Sequence, residues 1–141
     1  MKNVSKLVVK MGLLSLLSVM PLAAQIVNGV DFKTSFPFYA GNAKMPAGSY
    51  KITQSDEDGT VLQIQSSDGV HSAFVDVIPT QSPQPHRQSD VTFHKYGDTE
   101  YLNRIWVAGQ EYGMKVDPTK DQMKAAANAN VVQHSLSSGT R

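Results

Sequence analysis

MPAGSYKITQSDEDGTVLQIQSSDGVHSAFVDVI, residues 45–78, consists of short apolar and β-branched runs punctuated by turn residues. Met45-Pro46-Ala47-Gly48 is a turn, because proline presets φ at the second position and glycine closes the reversal. Ser49–Gln54 then reads as a strand. Asp56-Glu57-Asp58-Gly59 turns into a second strand over Thr60–Gln65, and Ser67-Asp68-Gly69 turns into a third over Val70–Ile78. Strands separated by turn signals every ten residues or so predict an all-β sandwich or barrel.

Working outward, Val27–Phe32 reads as a preceding strand, extending towards Phe38 and Tyr39 with an interruption at Pro37. On the other side, Pro79–Ser89 holds three prolines (Pro79, Pro83 and Pro85) and forms the one long loop. Asp90–Tyr96 and Glu100–Val107 form a hairpin about Gly97-Asp98. That register sets Lys95 opposite Glu100 and Phe93 opposite Leu102, both favourable cross-strand pairs. Simple alternation along the second strand points Leu102 and Trp106 one way and Tyr101, Ile105 and Val107 the other. Apolar residues on both sides predict that both faces are covered. Asp117-Pro118 offers an N-cap and first helical residue for a helix over residues 118–128. The expected fold is mainly β, a small antiparallel sandwich or barrel-like sheet with one short C-terminal helix. Residues 25–130 form the domain, and 131–141 read as a disordered tail.

The N-terminus carries an address. Lys2, Lys6 and Lys10 precede an apolar stretch, Met11–Met20, which Pro21 ends before Leu22-Ala23-Ala24. Charge, apolar core and small-residue exit, in that order, read as a signal peptide over residues 1–24, cleaved before Gln25. The apolar run is too short to span a membrane, which takes about 20 residues. A periplasmic or secreted bacterial protein, without stable membrane insertion after cleavage, is expected. The chain of 141 residues contains no cysteine, so disulfides, thiolate metal sites and cysteine nucleophiles are excluded. Without the three signal lysines the chain carries 10 basic and 12 acidic residues, scattered along its length. Nucleic acid is therefore not an expected partner, since phosphate binding leaves a basic stripe.

Phe36-Pro37-Phe38 with Met45-Pro46-Ala47-Gly48-Ser49-Tyr50, Phe93-His94-Lys95-Tyr96-Gly97-Asp98, and Tyr101-Leu102 with Ile105-Trp106 together resemble a group of small exported acidobacterial proteins. That group carries a Pro-Ala-Gly-x-Tyr turn-strand and a Tyr-Gly-Asp hairpin. The resemblance implies a small β-domain with a C-terminal helix and brings no catalytic residue with it.

The chemistry-bearing residues are few. His71, His86, His94 and His134 show no metalloprotease spacing. No Gly-x-Ser-x-Gly elbow is present. Asp56-Glu57-Asp58 lacks the regularly spaced oxygens of a calcium loop and reads as an acidic turn. His86, Asp90 and His94 could meet at the loop-strand junction as a small hydrolase or metal site; solvated loop residues are the simpler reading. His94, Tyr96, Tyr101 and Arg104 could share an outer hairpin face suited to sugars or protein partners. A core role competes for these aromatics, and Trp106 is expected to be buried. The reading is an exported, non-catalytic binding domain for a glycan or protein, with no cofactor and no metal. A structural subunit that pairs through its sheet edges is the alternative.

Overall fold

The computed structural model describes Ile26 and residues 29–138. The proposed signal, its cleavage site before Gln25, the start of the first predicted strand at Val27, and residues 139–141 lie outside the described residues. The chain runs β1 (Val30–Thr34), β2 (Phe38–Ala40), β3 (Ala43–Met45), β4 (Gly48–Gln54), β5 (Val61–Ser66), β6 (Ser72–Gln81), β7 (Asp90–Tyr96), β8 (Thr99–Trp106), β9 (Tyr112–Val116), α1 (Lys120–Asn128) and β10 (Val131–Ser137). The fold is mainly β, with one short helix near the C-terminal end. Among the described residues, no helix is long and apolar enough to cross a membrane.

The strands follow the order β1-β4-β5-β6-β9-β8-β2-β3, with β7 along the other edge of β8 and β10 beyond β7. Among the described residues every pairing is antiparallel except the bridge between Tyr39 of β2 and Tyr101 of β8. The sheet is not closed into a barrel, because among the described residues β1 pairs only with β4 and β10 only with β7. It curls around one core all the same. Phe32 on β1 lies edge-on to Phe93 on β7, with ring centroids 5.9 Å apart. The core joins Val30, Phe32, Tyr50, Ile52, Leu62, Ile64 and Val75 from one half to Val91, Phe93, Leu102 and Ile105 from the other. Burying each such side chain is worth about 1.5–3 kcal/mol, so this face of the sheet dominates stability.

The predicted hairpin register is present, with Lys95 opposite Glu100 and Phe93 opposite Leu102. Gly97 takes φ +61°, the left-handed conformation that a tight connection between right-twisted strands demands.

Four expectations are corrected. First, Thr119, not Asp117, caps α1: its backbone is extended and its Oγ1 accepts a hydrogen bond from the Gln122 amide at 3.2 Å. Second, β10 occupies most of the stretch expected to be a disordered tail, pairing with β7 from Val131–Tyr96 to Ser137–Asp90. Third, β9 supplies a strand that was not predicted. Fourth, Leu102 and Ile105 both face the core, whereas Tyr101 and Trp106 are buried outside the core cluster. A register shift causes the last difference. Phe93 pairs with Leu102 but Thr92 pairs with Arg104, so Asn103 is an extra residue on β8. Such a bulge re-aims the residues beyond it. It falls where the second edge of β8 passes from β2 to β9.

Candidate functional site

The bulge builds the outer face. β7 places His94 and Tyr96 two residues apart on one side of the sheet, and His94 pairs across to Tyr101 on β8. The rings form a continuous strip. Tyr39 stacks on Tyr101 at 5.3 Å, Tyr101 meets Tyr96 at 5.8 Å, and Tyr96 meets His94 at 6.1 Å. His94 Nδ1 lies 3.3 Å from the Tyr96 hydroxyl. Three of the four proposed ligand-binding residues are thus adjacent. Tyr101 itself is 7% exposed, so it supports the strip from below rather than offering a surface.

α1 lies across this face. Between helix and sheet runs a groove of about 190 Å³, lined by His94, Tyr96, Asn103, Lys115 and Val116 from the strands and Gln122, Met123 and Ala126 from the helix, among others. Asn103 is 3% exposed, and its Nδ2 has no hydrogen-bond partner among the described residues. Arg104 Nε is also buried without a partner. An unmet buried donor costs about 1–3 kcal/mol, so two in succession on β8, of which Asn103 lines the groove, mark a place where stability is given up locally. Burial pushes the His94 pKa below the ordinary imidazole value; a hydrogen bond with Gln133 opposes this, and the charges of Arg104 and Lys115 add to it. Burial also raises the Tyr101 pKa, helped by Tyr39, Asp121 and Tyr96.

Only two members of the proposed His86, Asp90 and His94 set come together. His86 Nδ1 lies 3.1 Å from Asp90 Oδ2, and its ring stacks flat on Trp106 at 4.5 Å. His94 sits further along β7 with Tyr96 and Gln133 as partners. Ser137 Oγ donates to Asp90 Oδ1 at 2.9 Å, so this hydroxyl is tied to the carboxylate and not to the imidazole. That order cannot activate a serine nucleophile, which must sit against the base. Among the described residues, no three His, Asp or Glu side chains are placed to share a metal ion. The cluster instead anchors the proline-rich loop: the Gly109 amide donates to His86 O at 2.8 Å and the Ala108 amide to Ser89 Oγ at 3.0 Å.

The burial of one acidic residue is not indicated by the sequence. Glu100 is 4% exposed, and neither carboxylate oxygen has a hydrogen-bond partner among the described residues. His134 Nε2 approaches Oε1 at 3.4 Å, an ion-pair distance without hydrogen-bond geometry. Phe36 meets the His134 ring edge-on at 5.7 Å. Lys95 is opposite Glu100 in register, but the basic side chain within 4 Å of its carboxylate is His134 of β10. No sequence signal joined the two, because His134 lay in the presumed tail.

Comparison with family models, curated proteins and solved structures gives no match, so the functional reading rests on this geometry.

Proposed function

We propose that this chain is an exported, non-catalytic β-domain that binds a glycan in the groove between α1 and the outer face of β7, β8 and β9. The observation that carries the reading is Asn103: a buried amide donor with no partner, lining a groove beside Tyr96 and His94. Aromatic rings take the apolar face of a sugar, and an unmet donor takes a hydroxyl oxygen. The volume suits one sugar ring and is smaller than the roughly 300–1,000 Å³ of drug-sized sites. Titrating labelled protein with a panel of soluble oligosaccharides tests the groove. Backbone shifts confined to Tyr96, Asn103, Gln122 and Met123 are expected; shifts elsewhere, or none, reject it. The mass of the exported form tests the address, with Gln25 expected as its first residue.

A second reading has its own support. β10 carries no Lys, Arg, Asp, Glu or Pro to guard its free edge, and Val131 and Val132 are more than half exposed. Edges without such guards pair with other strands. Light scattering showing a dimer that a lysine at Val131 dissociates would favour assembly over glycan binding.

A further inference from the structure

We infer that the sugar held by this groove carries a carboxylate, as a hexuronate does. The inference rests on the proposed glycan groove and adds its charge preference. Arg104 on β8 and Lys115 on β9 are paired directly across the sheet. Like charges so placed repel one another. Neither side chain forms an ion pair with any described residue. Every ionisable side chain lining the groove is His94, Tyr96 or Lys115; no Asp or Glu lines it, and α1 contributes only Gln122, Met123 and Ala126. The unpartnered donor Asn103 Nδ2 lines the groove, and Arg104, next to it on β8, bears on the groove through its charge on His94. Repelling cations, an unmet donor and lining residues without an acid are what an anionic acceptor offsets. Charge-assisted hydrogen bonds to a carboxylate are the strongest the groove can make. The walls formed by Tyr96, Val116, Pro118 and Met123 suit the apolar face of a sugar ring better than a small solvated anion. His94 supplies an internal gauge. Its pKa is lowered by burial and then by Arg104 and Lys115, with Gln133 acting the other way. A carboxylate bound beside it favours the protonated ring and moves its titration upward.

The test is titration of the full exported chain with sodium glucuronate, glucose and sodium acetate at matched ionic strength, followed by calorimetry and by the His94 ring resonances. Glucuronate is expected to bind at least about tenfold more tightly than glucose, the worth of one charge-assisted hydrogen bond. It should raise the His94 titration midpoint, and Lys115→Gln should abolish the preference while the hairpin resonances stay in place. Equal affinity for glucose and glucuronate overturns the carboxylate and leaves the groove standing. Acetate matching glucuronate overturns the sugar. If no probe shifts His94 or Asn103, the groove reading itself falls.

Discussion

The half of the sheet formed by β1, β4, β5 and β6 and the half formed by β7, β8 and β9 obey local rules to different degrees. In the first, inward residues other than Thr34 are apolar and outward ones polar or exposed, as in the alternating burial of Val30–Thr34. Its turns are closed by their own side chains: Asp56 accepts from the Thr60 and Val61 amides, and Asp68 from the Val70 amide. In the second, a bulge interrupts alternation and Thr92, Glu100 and Asn103 are buried. Departure from local consistency is expected where a protein does something besides fold. The comparison teaches that both halves share one core, while the departures from alternation gather in the second, beside the candidate site.

The largest expected effect lies in the regular half. Ile64, which is fully buried, should lose about 2–5 kcal/mol on replacement by alanine, read from urea unfolding. A loss below 1 kcal/mol would show that this half is less tightly packed than its alternation implies.

Gly97→Val comes next, at about 1–3 kcal/mol. Nothing lies within 4 Å of a Cβ added there, so the cost is one of backbone conformation alone. Asp98→Asn should cost far less, since both residues tolerate turn geometry. An unchanged Gly97→Val would mean that the hairpin tolerates another turn.

Acid separates the halves by pH window. The Asp56 and Asp68 carboxyls are held below 3.8, first by side-chain hydrogen bonds from Thr60 and Ser66. Their folded pKa is depressed, so their contribution is complete above that value and is lost as pH falls through the folded one. His94 is depressed below 6.5, so the folded state favours the neutral ring and stability declines from about pH 6.5 downward. Hydrogen exchange at pH 5 should therefore show β7 opening more readily than at pH 7, with β4 and β5 unchanged. Equal loosening of both halves would remove the distinction.

The smallest effect on stability should come from Asn103→Ala. Its side chain is 3% exposed and its amide donor has no partner to lose, so relief of the unmet donor offsets the small cavity left behind; denaturation should shift by no more than about 1 kcal/mol, while the proposed sugar binding disappears. A loss of several kcal/mol would make Asn103 part of the scaffold.

The same contrast governs what was legible. The regular half could be read because Pro46, Gly59 and Gly69 mark its turns and its apolar runs lie between them. The hairpin could be read because Gly97-Asp98 fixes one register. Asn103 could not, since a bulge is set by a change of neighbouring strand and not by residue type. β10 was hidden because Val131–Ser137 lies beside Ser- and Gly-rich sequence, and its partner β7 is remote along the chain. His94, Tyr96 and Tyr101 were placed together from alternation before the bulge. The groove above them needed α1, whose resting place has no local code.

Trp106 is the chain's single tryptophan, and it lies outside the main core. Its indole stacks on His86, and a Cβ added at Gly113 would stand 2.5 Å from its Cε3. The optical probe that nature supplied therefore watches the docking of the proline-rich loop against the β8–β9 turn. Emission should change when residues 82–89 detach, before far-ultraviolet dichroism records loss of the sheet. A fluorescence melt of this protein taken alone would report a local event as though it were global unfolding.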